Sequence, residues 1–310
     1  MIRIGVDLGG TKIEAVALGP GNRVLARERT PTPRGDYEGT VAAIAGIVER
    51  VEGLADGRAP GIGVGIPGSL DPQTGTVRNA NTTALIGRPL AGDLASRLGG
   101  RPVVIDNDAN CFALAEARAG AAQGYRVVQG FILGTGAGSG LVFDGRAHTG
   151  ANRIGGEWGH VPLPWPTEQE HPGPTCWCGL QGCLELWVAG PALERDHAAA
   201  AGLGPDDARP RVPEIVARWQ GGDPVATGAI GRHLSRLARG MAVAVNIVDP
   251  DAIVLGGGLS NLEHLYQRLP AALLPHVFTG TFTTPILKNA LGDSAGVIGA
   301  AWLWQGQSGE

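Results

Sequence analysis

Two segments govern what this chain can fold into: "IGVDLGGTKIEAVAL", residues 4–18, and "VVQGFILGTGAGSGLVFDG", residues 127–145. Each reads as an apolar strand, a glycine-rich break and a second strand. In the first, Ile2, Ile4 and Val6 alternate before the break and Ile13, Ala15 and Ala17 after it, the period of a half-buried strand. The adjacent Gly9 and Gly10 accept φ > 0 without steric cost, so the break is read as a hairpin turn on left-handed backbone. In the second, the turn is read from Gly134 to Gly140, and Asp144-Gly145 ends the returning strand. Such hairpins in successive halves describe a duplicated α/β chain whose two tips face one another across a cleft.

Length permits this, since 310 residues hold two domains, each with its own core. A formal charge of −4 leaves no basic footprint for nucleic acid or an anionic membrane. No apolar run reaches membrane-spanning length and the first residues enter a strand at once, so a cytoplasmic protein with a small-molecule partner is expected.

Between the hairpins, Val41, Ile44, Val48, Val51 and Leu54 recur at helical spacing, predicting an amphipathic helix over 38–54. "RPVVIDNDANCFALAEARAG" predicts a buried strand ending at Asp106 and a helix from about Ala109. Residues 149–188 are rich in Gly, Pro, Cys and Trp and read as a functional loop region. A further helix is expected from Asp223 to about Val248, a strand in "DAIVLGGGLS", and a closing helix over 294–305 that packs back on the first domain. The predicted division is therefore 1–117, with that closing helix, and 118–293 with the loop region. Gly63, Gly65 and Gly68 match G-x-G-x-x-G, but with Pro67 the turn-rich "SLDPQTG" stands where a dinucleotide fold needs a helix, so the match is rejected.

At the first tip, Asp7, Thr11 and Lys12 add a carboxylate, a hydroxyl and an ammonium to bare backbone N–H groups, a combination suited to phosphate. Read blandly, Lys12 is a solvated surface cation. No G-x-x-x-x-G-K-[ST] occurs, which excludes a P-loop. Cys176, Cys178 and Cys183 form C-x-C-x4-C, sixteen residues after His160, a donor set for a tetrahedral structural zinc. A disulfide would leave one thiol over. Cys111 reads as a small buried hydrophobe.

Taken together and in order, "DLGGTK", "GIPG", "DNDANCFALAE", "ILGTGAGSG", "GGEWGH", "CWCGLQGCLE", "IVLGGGLS" and "GDSAGVIGAA" resemble the ROK family of bacterial sugar kinases. The resemblance implies a duplicated actin/hexokinase-type, ribonuclease H-like ATPase fold of two domains around a cleft. It implies phosphate binding by Asp7, Gly9, Gly10, Thr11 and Lys12 and by Gly134, Thr135 and Gly136, with Gly256, Gly257 and Gly258 near the adenosine. Asp7 would serve Mg²⁺ on ATP, and Asp108 would be the base that accepts the proton of the attacking hydroxyl. The alternative for Asp108 is a helix N-cap, for which Asp106 and Asn107 compete. Ser69, Asn81, Asn107, Glu157, His160 and Glu185 would bind the sugar hydroxyls, and His160 with Cys176, Cys178 and Cys183 would hold a structural Zn²⁺ that fixes the loop carrying Glu157 and His160.

Within the family, "RNANTTALIG", "GEWGHVPLPW" and "GAAWLW" resemble the fructokinase/mannokinase branch, so a hexose 6-kinase acting on fructose is expected, with mannose as a further candidate. N-acetylglucosamine kinase and glucokinase are the rival activities. Family repressors carry a winged helix-turn-helix ahead of the kinase-like body, and this chain starts directly at the phosphate hairpin, so that role is not expected. A sugar sensor without turnover is the remaining alternative, and a homodimer is the expected assembly.

Overall fold

The structure is a computed structural model that describes residues 2–80, 82–204 and 206–304. Asn81, expected among the sugar-binding residues, lies outside them. The chain opens with β1 (Arg3–Leu8), β2 (Lys12–Leu18), β3 (Val24–Pro31) and α1 (Tyr37–Leu54). β4 (Ile62–Ile66), the short hairpin β5 (Ser69–Leu70) and β6 (Val77–Arg78), α2 (Leu90–Arg97), β7 (Val103–Asn107) and α3 (Asp108–Ala119) follow. β1, β2 and β3 pair antiparallel, while β1, β4 and β7 run parallel, in the order β3-β2-β1-β4-β7.

The same plan recurs in β8 (Val127–Leu133), β9 (Ala137–Phe143) and β10 (Arg146–Ala147). After them come α4 (Glu185–Val188), α5 (Gly190–Ala200), α6 (Val212–Gln220), α7 (Pro224–Val248), β11 (Ala252–Gly256), α8 (Glu263–Leu273), β12 (Ile286–Lys288) and α9 (Ala295–Leu303). The second sheet has the order β10-β9-β8-β11-β12, the first sheet's order repeated. Among the described residues no helix is long and apolar enough to cross a membrane.

Local chemistry explains the boundaries. Asp36 caps α1 by accepting from Gly39 N at 2.9 Å, and Asp223 caps α7 by accepting from Ala226 N at 2.8 Å. Val41, Ile44, Val48 and Val51 are buried as predicted, whereas Leu54, the last residue of α1, is 64% exposed. Asp144 and Gly145 both take positive φ, at 48° and 71°, and Phe143 pairs with Arg146, the two-residue hairpin that the Asp-Gly pair predicts.

Two turn predictions need correction. Leu8 pairs with Ile13, so residues 9–12 form a four-residue connection, and neither Gly9 nor Gly10 takes positive φ. Four-residue hairpin loops are commonly built on right-handed turn backbone, so left-handed glycines are not required there. In the second hairpin β9 begins at Ala137, so the turn is Gly134–Gly136 and Gly140 is strand. A Cβ at Gly140 would overlap the Ala109 carbonyl oxygen on α3, so that glycine serves the close approach of a helix. The rejected G-x-G-x-x-G run has a similar explanation, since a Cβ at Gly63 would overlap the carbonyl oxygen of Ala300 on α9.

The chain forms two compact units: the first runs to Gly130 and adds Gly140–Gly156 and the chain from Ala290, and the second comprises Phe131–Ser139 and Glu157–Asn289. This differs from a cut at 117/118, because both strands of the second hairpin cross from one unit to the other. In the first unit α9 packs on β1, β4 and α3. Glu116 of α3 is fully buried there, and its carboxylate accepts from the amides of Ala121, Ala290 and Leu291, fixing the approach to α9. Each unit has its own apolar core, one around Val6, Ile44 and Val64, the other around Phe131, Leu184 and Met241.

Candidate active site

In the first unit the acids are set by strand register. Asp7 on β1 lies opposite Gly65 on β4, and Gly65 lies opposite Asp106 on β7, one row at the carboxyl ends of three parallel strands. Open α/β sheets bind ligands at that end. Burial, then the Glu14 carboxylate, pushes the Asp7 carboxyl up to about 6, with Lys12 opposing. A cation beside Asp7 would relieve this, so the residue fits the Mg²⁺ role. Burial also raises Asp106, eased by hydrogen bonds from the Asn110 amide and Asn107 N–H and by the charge of Arg153.

Asn107 settles the competition for the helix cap: its Oδ1 accepts from Ala109 N at 2.8 Å and its Nδ2 donates to Gly68 O at 3.2 Å. Its side chain is therefore engaged in architecture, which leaves one amide hydrogen for a sugar. Asp108 is the first residue of α3, and its Oδ1 also accepts from Ala109 N, at 2.9 Å, as a second acceptor on an amide already capped. Asp106, Asp7 and Asp108, after burial, raise the thiol of fully buried Cys111, which places all three carboxylates around the start of α3. Cys111 is itself the small buried hydrophobe expected.

The first tip is braced from below by a residue the sequence reading missed. Thr32 donates through Oγ1 to Gly9 O at 2.7 Å and through its amide to Thr11 O at 3.1 Å. A hydroxyl one residue past a strand carries no signal of such a role. Lys12 is tethered, with Nζ 3.7 Å from Oε2 of buried Glu14, which also pairs with Arg27 and with Arg29 at 2.8 Å. Ser69 is buried and its Oγ has no partner among the described residues.

In the second unit the β8–β9 turn adjoins the glycines after β11. Gly257 has φ 77°, and a Cβ there would stand 2.5 Å from Leu133 O, so only glycine fits. Glu185 opens α4 and its Oε2 accepts from Ala137 N at 3.0 Å, which sets a residue of the expected sugar set against the first residue of β9. A Cβ at Gly136 would lie 2.5 Å from that oxygen. Burial raises the Glu157 carboxyl, Glu185 adds to this, and His160 opposes it, so these three residues share one region. Trp158 between them is anchored: its Nε1 donates to Gly240 O on α7 at 2.7 Å and its ring meets Phe131 edge-on at 4.9 Å.

His160, Cys176, Cys178 and Cys183 bring their donor atoms within 4.8 Å of one another. Cys178 Sγ lies 3.6 Å from Cys183 Sγ, and Cys176 Sγ 3.7 Å from His160 Nδ1. A Zn–S bond of about 2.3 Å makes the edge of a tetrahedron about 3.8 Å, so the separations fit zinc. The donors are gathered by backbone: Cys176 N donates to Leu180 O at 2.7 Å, Gly179 N to Cys176 O at 3.0 Å, and Cys183 bridges Pro162. Four protein ligands close the coordination sphere, so the metal would be architectural.

The ROK family model matches residues 3–307. The N-acetyl-D-glucosamine kinase of Photobacterium profundum is 40% identical over 309 residues, covering 96% of this chain and 98% of the relative. The ROK hexokinase of Thermus thermophilus superposes with a TM-score of 0.87 at 36% identity, with complete coverage of both chains. A ROK glucokinase from Streptomyces griseus, solved with glucose and AMPPNP, gives 0.76 at 30% identity, covering 98% of this chain and 99% of that one. The chain therefore belongs to the ROK family, and its fold is of the actin/hexokinase type.

Proposed function

We propose that this chain transfers the γ-phosphoryl group of ATP to the 6-hydroxyl of N-acetyl-D-glucosamine. The observation that carries the kinase reading is the Asp7–Gly65–Asp106 row ending beside Asp108, a carboxylate at the head of α3 whose capping duty falls on Asn107. The sugar is favoured by whole-length relatives named for N-acetyl-D-glucosamine, from Photobacterium profundum and Yersinia enterocolitica. Fructose, expected from the sequence, has no such support.

In this mechanism the Asp108 carboxylate accepts the proton of the 6-hydroxyl as its oxygen bonds to the γ-phosphorus, and the bond from that phosphorus to the bridging oxygen breaks to release ADP. Gly9, Gly10, Thr11 and Lys12 hold phosphate at one tip and Gly134, Thr135 and Gly136 at the other, with Gly256–Gly258 toward the adenosine. Asp7 would hold Mg²⁺ on ATP, which would supply charge neutralisation. Ser69, Asn107, Glu157, His160 and Glu185 bind hydroxyls. The orphaned Ser69 Oγ is a group that a sugar hydroxyl would satisfy. His160 would give Nδ1 to zinc and keep Nε2 for the sugar. Unpaired thiols fit a reducing, ATP-containing cytoplasm. A homodimer is the proposed assembly, which light scattering checks.

The test is a panel of N-acetylglucosamine, glucose, mannose and fructose with coupled detection of ADP. The expected result is the highest kcat/KM for N-acetylglucosamine, by about 10- to 100-fold over a hexose that leaves the acetamido-binding groups unpaired. A preference for fructose would restore the fructokinase reading, and absence of turnover with every hexose would leave the sensor.

A further inference from the structure

Trp177 stands between two thiols of the metal cluster without being a ligand, and its side chain is 61% exposed. One of its contacts is with a carboxylate outside the cluster and the other with the ring of a cluster member. Nε1 donates to Glu185 Oε1 at 3.0 Å, and the indole meets the His160 ring edge-on, with centroids 5.0 Å apart and planes at 85°. The other oxygen of Glu185 is held by Ala137 N at 3.0 Å. The carboxylate is thus fixed from two sides, by the metal loop through an indole and by the β8–β9 turn through an amide. Two fixed donors leave a carboxylate one orientation, with its remaining lone pairs aimed in set directions.

We propose that Trp177 is a positioning residue for the sugar: its N–H aims the Glu185 carboxylate and its ring edge sets the plane of the His160 imidazole. The metal loop then acts on the sugar through this side chain as well as through His160. This rests on the assignment of Glu185 and His160 to the sugar. An indole that only covered the loop would have no need of a hydrogen bond to a carboxylate eight residues on in sequence.

Trp177→Phe keeps a ring against His160 and removes the N–H. The expected result is a KM for N-acetylglucosamine raised about tenfold, as for loss of a hydrogen bond to a charged group, with kcat within about twofold, KM for ATP unchanged and zinc content unchanged. A second readout needs no turnover: stripping the metal with a chelator should change tryptophan emission in the unaltered protein and leave most of that change absent in Trp177→Phe. Glu185→Gln is the control for the underlying assignment. If it raises the sugar KM while Trp177→Phe does not, the positioning role is overturned and the proposed function stands. If neither variant affects the sugar, both readings fall. If Trp177→Phe loses zinc in proportion to its change in KM, Trp177 belongs to the stability of the metal loop and the proposal is overturned.

Discussion

The two glycine-rich hairpins have the same plan and are equipped in opposite ways. The first carries its own charge: Asp7 on β1, Lys12 at the turn and buried Glu14 on β2, ringed by Arg27 and Arg29. The second has no charged residue in its three-residue turn and borrows a carboxylate from Glu185, 48 positions on, through Ala137 N. One tip is thus a charge device written into a single local stretch. The other is assembled from segments distant in sequence, and the metal loop belongs to that assembly. If the difference is functional, damage at the first tip should fall on phosphate and chemistry, and damage to Glu185 and the bonds that hold it should fall on the sugar.

The largest effect is expected at Asp108. Asp108→Asn retains size and the weak contact to Ala109 N but cannot take a proton as a carboxylate does, so kcat should fall by about 10²-fold or more. Sugar affinity measured by calorimetry should remain within a few-fold. Near-normal turnover would make Asp108 a mere second helix cap and break the assignment of chemistry to the first unit.

Asp7 should show the cost of housing charge at the first tip. Its carboxyl titrates at about 6 in the folded chain and near 3.9 when unfolded, so between those values the native state holds a proton that the unfolded state has lost. Stability therefore falls as pH rises from about 4 to about 6 and stays lower above. The penalty at neutral pH is at most about 3 kcal/mol. Asp7→Asn should raise the Tm at pH 8, lose that advantage below pH 4 and abolish activity. An unchanged Tm across that range would show that Asp7 is not strained.

Removing the metal sharpens the other side. Cys178→Ser should lower bound zinc from about one per chain and raise the sugar KM by roughly tenfold, with kcat less affected, since a closed site supplies no Lewis acid. Fully active protein without zinc would sink the structural-metal assignment.

Much of the architecture was legible because it is local. The Asp-Gly turn at 144–145, the helices over 38–54 and from Asp223 and the strand–helix junction at Asp106–Asp108 each depend on neighbours in sequence. The gathering of the three thiols was legible too, since C-x-C-x4-C keeps them close in sequence. What escaped is non-local. The glycines at 63 and 140 answer to helices packed from elsewhere, and the Ala137–Glu185 and Trp177–Glu185 bonds follow from the folded loop. The fructose expectation leaned on stretches whose structural duties include packing and forming the His–Cys cluster. In "GEWGHVPLPW" Trp158 is anchored on α7 and His160 faces the thiols, and in "GAAWLW" Gly299 and Ala300 pack α9 against Cys111 and Gly63. Packing residues such as Trp158, Gly299 and Ala300 do not tell which hexose is taken.

The smallest effects come from a pair of glycine substitutions that set the two tips directly against each other. Gly136→Ala puts a methyl 2.5 Å from Glu185 Oε2, so the carboxylate must move and the bond from Ala137 N is lost. That should cost about 1 kcal/mol and raise the sugar KM several-fold. Gly10→Ala meets nothing within 4 Å, on backbone that is not left-handed, so fold stability should change by no more than about 0.5 kcal/mol. Its methyl projects where phosphate is proposed to approach bare backbone, so the KM for ATP should rise while the sugar KM stays put. Urea titrations would confirm that both variants are folded, and initial-rate grids in both substrates would separate the two constants. If Gly136→Ala left the sugar KM unchanged, or Gly10→Ala raised it, the assignment of the borrowed carboxylate to the sugar and of the first tip to phosphate would fail, even with every measured stability as expected.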